Sequence, residues 1–327
     1  MRGASIRARA ACFFGVASLL AGIALAQQPE NYPDKPITLV IPFAPGAGTD
    51  AMGRLLAGKL ADELKVPVNP ENKTGAGGAI GARFVAQSAP DGTNLLLVVS
   101  PFTTTAASMS NPGYDPVADF APVALIATGP LVWVANLGVK ASNMRELIAL
   151  ARSNPGRLNY ASAGVGSVNH LVLELLKSRA RISIVHIPYR GTALAIPDLV
   201  SGKLDLLFDS LPSGLPHVKD GRLRALGVTS AKRSPLLPDL PAVAESVPGY
   251  ETVTWFGLYG PRGLPADIVQ RINTAVNQAL QDSDVKERLA RLGIEPAGGT
   301  PQQFAVMTDT DRARWKKIIA DRRLTAD

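Results

Sequence analysis

Cysteine is almost absent. The chain has one, Cys12, at the start of an uncharged run. A lipoprotein cysteine would follow such a run instead. With no second thiol there is no disulfide framework and no thiolate metal site. Histidine is nearly as scarce. His170, His186 and His217 lack metal-ligand spacing and have no cysteine partners, so neither a resident metal nor another cofactor is expected. Basic residues do not cluster beyond pairs such as Arg322-Arg323. Nucleic-acid binding needs a stripe of charge and is therefore not expected. No G-x-S-x-G elbow occurs, so a serine hydrolase has no motif behind it. Long apolar runs are few. Residues 120–139 carry no charge, but Pro122, Gly129, Pro130, Asn136 and Gly138 break the stretch. It reads as two short buried strands, 123–127 and 131–135, around a Thr-Gly-Pro turn rather than as a membrane span.

Residues 1–26 have the pattern of a cleaved secretion signal. Arg2, Arg7 and Arg9 precede the uncharged run from 10 to 26, and Ala24-Leu25-Ala26 is a small-x-small cleavage site before Gln27. An uncleaved anchor is the alternative, for which the run is short. The leader holds three of the 34 basic residues and none of the 27 acidic ones, so its removal lowers the net charge from +7 to +4. A mild positive field suits small anions. The remaining 301 residues suffice for a core, and chains of this size usually divide into two lobes.

Strands and helices alternate along the rest. Residues 37–43 read as a buried strand, and Met52, Leu55, Leu56 and Leu60 give a helical stripe over 50–64. A short strand is expected at 66–68, a glycine-rich start to a helix over 75–88, and a strand at 95–99. The order restarts with a capping-box-like helix from Asn143, a strand at 158–161, a helix capped by Ser167, strands at 182–187, 204–208 and 224–228, and a helix at 193–201. Residues 230–250 read as a long surface connection. A strand at 253–259 and two helices behind Pro265 and Pro301 close the chain. Such alternation predicts α/β layers with mostly parallel sheets.

One unit occurs twice: strand, small-residue loop, helix N-terminus. The first loop is Phe43-Ala44-Pro45-Gly46-Ala47-Gly48-Thr49-Asp50, the second Ala161-Ser162-Ala163-Gly164-Val165-Gly166-Ser167 followed by His170. Glycines let backbone N–H groups turn toward a ligand, and helix N-termini favour anions. Plain turns with Asp50 and Ser167 as N-caps are the competing reading. Two such loops in two lobes could face each other across a cleft. A dinucleotide fingerprint is missed twice: Ile80 and Ala51 stand where glycine belongs. A Rossmann-like oxidoreductase is therefore disfavoured. Asp205 and Asp209 flank an apolar strand as solvated strand ends or, less simply, a carboxylate pair. Arg190 reads as a solvated turn residue or a carboxylate partner.

Several segments resemble one family. They are Tyr32-Pro33-Asp34-Lys35-Pro36-Ile37, Pro42 to Asp50, Glu71-Asn72-Lys73-Thr74-Gly75-Ala76-Gly77-Gly78, Pro90-Asp91-Gly92, Asn159 to Ser167 with His170, Pro188-Tyr189-Arg190-Gly191 and Trp255-Phe256-Gly257-Leu258. In order and content they resemble the Bug family, the substrate-binding proteins of tripartite tricarboxylate transporters, from about Tyr32 to Ile319. The resemblance implies a type II periplasmic binding fold: two α/β lobes with mixed, mostly parallel sheets, flanked by helices and joined by crossing strands. Lobe 1 is expected at 27–128 plus 251–327 and lobe 2 at 129–250, with the return crossover within 229–255. It also implies a ligand carboxylate held by Phe43, Gly46, Ala47, Gly48, Thr49 and Asp50 on one side. Ser162, Ala163, Gly164, Val165, Gly166 and Ser167 would hold it on the other, with His170 nearby and Asp209 at the cleft edge. Ala47 departs from the family, which often has a third glycine there, and Asn94 stands where it often has tyrosine. The expected function is an extracytoplasmic, monomeric, non-enzymatic solute-binding protein that hands a small carboxylate to membrane permease subunits. A periplasmic sensor signalling through a receptor is the alternative.

Overall fold

The computed structural model describes residues 32–46, 48–109, 111–189 and 191–324. The expected leader, Gln27, Ala47 and Arg190 lie outside the described residues. Chain order runs β1 (Ile37–Ile41), α1 (Gly48–Leu64), β2 (Val68–Asn72), α2 (Ala79–Ala86), β3 (Asn94–Val99), α3 (Pro101–Ser108), β4 (Phe120–Asn136), α4 (Met144–Ser153), β5 (Asn159–Ser162), α5 (Val168–Ala180), β6 (Val185–Pro188), α6 (Thr192–Ser201), β7 (Leu206–Ser210), α7 (Leu211–Lys219), β8 (Leu223–Val228), β9 (Val253–Pro261), α8 (Ala266–Ala279), α9 (Ser283–Arg291), β10 (Glu295–Pro296) and α10 (Pro301–Arg322).

The sheet order is β2-β1-β3-β9-β4-β7-β5-β6, with β8 and β10 also pairing β4. β1 pairs in parallel with β2 and β3, and β5 with β6 and β7; β9 and β4 are antiparallel to their neighbours. β1 is buried almost throughout, as a strand covered by helices on both faces must be. Buried apolar residues gather in several clusters. Phe102, Phe120, Tyr259 and Phe304 belong to one. Trp133, Tyr160, Phe208, Tyr250 and Trp315 belong to another, and Val132, Val134, Leu199 and Leu207 to a third.

The turn expected at Thr128-Gly129-Pro130 does not form. β4 runs unbroken for 17 residues, pairing β9 up to Pro130↔Val253 and β7 from Leu131↔Ser210. Gly129 lies flat against a neighbouring segment: a Cβ there would sit 2.5 Å from Ile294 Cγ2 and 2.9 Å from the Gly293 carbonyl. Here glycine serves close approach, not a bend. The second strand is 68–72 rather than 66–68. It lies at a sheet edge, where Pro70 is tolerated. Residues 230–250 are more than a surface link, because Val243, Val247 and Tyr250 are buried and the Tyr250 hydroxyl accepts from Trp133 Nε1 at 3.2 Å. Three helices follow β9, not two, and Pro265 caps α8 rather than opening it. The Thr300–Gln303 capping box forms as expected.

Candidate functional site

Both loops close the carboxyl ends of strands. β3, parallel to β1, ends at Val99 opposite Phe256, near the start of β9. β7, parallel to β5, ends at Ser210 opposite Leu131. The carboxyl ends of the two parallel sets therefore converge on the 129–131 crossing, one set on each side. Crevices outside the carboxyl ends of strands are where open α/β sheets take ligands.

In the first loop Asp50 is buried, 3 % exposed, and its carboxylate faces inward. It is not the N-cap, since α1 already begins at Gly48. Oδ2 accepts from the Gly46 N–H at 2.9 Å and Arg54 Nε at 3.0 Å, and Oδ1 from Asn72 Nδ2 at 2.8 Å. Arg54 foremost, then the Gly46 amide and Asn72, hold the Asp50 carboxyl at about 2. Asn72 Nδ2 also donates to the Phe43 carbonyl at 2.9 Å, and Arg54 Nη2 to Asn72 Oδ1 at 3.0 Å. The charge of Asp50 is thus matched inside the loop, leaving the first-turn amides from Gly48 onward to present a positive helix end. Arg54 and Asn72 were given no role by the sequence reading. Asn72 lies in one of the quoted segments, but its reach to residue 50 depends on β1–β2 pairing, Ile41↔Asn72.

The second loop is built on side-chain caps. Ser167 caps α5 and accepts from the His170 N–H at 3.3 Å, and its hydroxyl donates to the Gly164 carbonyl at 2.6 Å. Ser162, fully buried, accepts from the Gly164 N–H at 3.0 Å and lies 2.5 Å from His186 Nε2. Gly164 and Gly166 have φ of +119° and +75°, which glycine alone adopts cheaply. Ala163 and Val165 are the exposed positions of the loop. The His170 and His186 rings stack at 3.9 Å; no sequence pattern pointed to His186. The α5 start is pinned by Tyr160 Oη donating to the Asn169 carbonyl at 2.6 Å and Asn169 Nδ2 to the Phe208 carbonyl at 2.8 Å.

Asp209 lies at the end of β7, accepting from the Ser210 N–H at 2.8 Å and from Ser213 Oγ at 2.7 Å. Asp205 instead accepts from the Asn159 N–H at 2.8 Å, a strand-end bond and not half of a carboxylate pair. Among the described residues no group of three His, Cys, Asp or Glu side chains is placed to hold a metal ion. A cavity of about 580 Å³ sits beside the crossing, lined by Gly129, Lys232, Glu251, Trp255, Asp311 and Arg314 among others. Neither small-residue loop contributes to it, so it is separate from the candidate site.

Comparison with known proteins places these features. The sequence pattern described as "Tripartite tricarboxylate transporter family receptor" matches residues 52–324. The protein BugT of Bordetella pertussis is 36 % identical over 310 residues, spanning 94 % of this chain and 95 % of that one. The structure of Rpa4515 of R. palustris with adipate superposes with a TM-score of 0.74 at 35 % identity, covering 90 % of this chain and 99 % of that one. MatC (Rpa3494) of Rhodopseudomonas palustris with bound malate superposes with a TM-score of 0.71 at 33 % identity, covering 88 % and 100 %. The fold is the two-lobed α/β fold of periplasmic binding proteins that the sequence resemblance implied.

Proposed function

Because the chain belongs to the tripartite tricarboxylate transporter receptor family, known also for its Bug proteins, we propose that it captures a small carboxylate between its lobes and catalyses nothing. The observation that carries this reading is the pair of small-residue loops at carboxyl strand ends, one on each side of the β4 crossing. The lobes are assigned to 27–128 plus 251–327 and to 129–250. The ligand carboxylate meets the first-turn amides of α1 with Phe43, Gly46, Ala47, Gly48 and Thr49, and the second loop from Ser162 to Ser167. Asp50 and His170 act behind these surfaces by holding the loops, and Asp209 borders the cleft.

The protein is read as a periplasmic monomer delivered by its leader. Among the described residues no helix is long and apolar enough to cross a membrane, and permease subunits would receive the solute. Adipate and malate, held by the two similar structures, are the first ligands to try. A thermal-shift comparison of each acid with its dimethyl ester tests the reading. The acid should raise the melting temperature and the ester should lose most of that effect. Equal stabilisation by acid and ester would remove the anion site.

A further inference from the structure

Behind the second loop lies a cluster of titratable groups that does not itself meet the ligand carboxylate as described. His170, on the first turn of α5, is 4 % exposed. Its Nδ1 accepts the Gly166 N–H at 3.2 Å, so the neutral ring carries its proton on Nε2. Nε2 lies 3.9 Å from Glu174 Oε1. His186, on β6, stacks on the other side at 3.9 Å with 11° between the ring planes and meets the buried Ser162 hydroxyl at 2.5 Å. The two rings thus hold both ends of the loop: His186 through Ser162, which accepts from Gly164, and His170 through Gly166.

We infer that His170 and His186 form a neutral stacked pair that positions the second loop, and that a proton taken up at His170 Nδ1 releases it. A protonated Nδ1 is a donor and cannot accept from Gly166. Gly166 is buried, so its N–H then has no acceptor in place, a loss that the loop relieves by moving. The Ser162–His186 contact is not a nucleophile and base, because the serine is fully buried and its hydroxyl donates to the Gly164 carbonyl at 3.1 Å.

The surrounding charges do not hold a proton on the pair. Among the described residues Glu174 is the carboxylate that faces His170, and it is already paired. Lys177 Nζ lies 2.6 Å from its Oε1, and Arg322 Nε, from α10, 3.3 Å from its Oε2. Tyr160, on β5, offers only a phenol that burial keeps protonated. Burial lowers both histidines, His186 to about 4 with His170 as its next cause, while Glu174 opposes and Lys177 assists the lowering at His170.

The sign follows. A loop that has let go exposes histidines that protonate near their ordinary value of about 6.5, whereas in the locked loop burial lowers the proton affinity of His170. The lock is complete above about 6.5 and weakens as pH falls below it, because the locked loop binds the His170 proton less readily. For the receptor reading, on which this consequence rests, it means a weaker grip on carboxylate in acid.

Amide hydrogen exchange at Gly166, corrected for the intrinsic pH dependence, reads the lock without ligand. In the purified protein, protection should fall about tenfold between about pH 7 and about pH 4, while core amides of β1 and β4 keep theirs. His170→Asn places a non-titrating amide oxygen near the Nδ1 position and should keep Gly166 protected at both pH values. His170→Leu should lose protection at both; if that variant does not fold, wild type against His170→Asn decides alone. Gly166 protection that does not change with pH in wild type, or that falls equally in His170→Asn, overturns the proposal. Adipate calorimetry adds the functional readout. Wild type and His170→Asn meet the same ligand charge at each pH, so wild type should lose more affinity in acid, and equal losses overturn release. If neither adipate nor malate binds at any pH while Gly166 behaves as stated, the carboxylate reading falls and the positioning role stands.

Discussion

Gly46 and Gly48 stand two positions apart in the first loop and differ in what they require. Gly46 has φ of +81°, and an added methyl group there would meet no heavy atom within 4 Å. Its demand is purely conformational. Gly48 also has open space around it but no left-handed backbone, and it opens α1. Gly46→Ala should therefore cost about 1–2 kcal/mol, whereas Gly48→Ala should stay within about 0.5 kcal/mol of wild type. Urea unfolding midpoints at constant slope measure both. Equal effects would mean that loop conformation is set by something other than φ at residue 46. The sequence located both glycines but could not separate them, because a G-x-G spelling does not say which residue takes the left-handed turn.

Among the elements, β4 carries the most structural meaning, and at residues 128–130 it departs from the expected turn. A Thr-Gly-Pro sequence between apolar runs looks like a turn because such residues usually are one. Here the runs on both sides find partners, β9 up to the proline and β7 after it, and this pairing across residues 128–131 keeps them extended. The packing of Gly129 against Gly293 and Ile294 makes this position intolerant. Gly129→Ala should destabilise by about 1–3 kcal/mol through overpacking against backbone that must shift. Denaturant unfolding would show a lower midpoint. A neutral result would mean that the 293–294 segment yields freely and that the crossing is loosely held. α10 links the same two regions from outside, with Phe304 in one cluster and Trp315 in another.

At the scale of the molecule, two small-residue loops lie at carboxyl strand ends on either side of the β4 crossing. Neither loop alone surrounds a ligand, so capture should be coupled to a change in lobe opening. A ligand shifts such an equilibrium only by its differential affinity for the closed form. At about 100 times its dissociation constant, adipate should stabilise the fold by about 2.7 kcal/mol, and small-angle scattering should report a smaller radius of gyration. Stabilisation without compaction would place the ligand on a single lobe and end the two-sided description.

The sequence by itself determined the leader pattern, the α/β alternation, the repeated strand–loop–helix unit and the family resemblance. These are local or ordered features, spelled by periodicity, caps and glycine spacing. Ser167 and Thr300 cap their helices as their sequences imply, because a cap needs only residues three positions apart. Tertiary structure decided what depends on distant partners. Asp50 reads as a cap or a ligand residue, yet Arg54 and Asn72 turn it inward. His186 reads as an ordinary strand residue, yet β5–β6 pairing brings it to Ser162 and His170. Gly129 and Pro130 read as a turn, yet strands more than 70 residues away hold them extended. For His186, Gly129 and Pro130 the deciding partners are far apart in the chain, and for Asp50 the distant Asn72 joins the nearby Arg54 and Gly46, a combination no local pattern encodes.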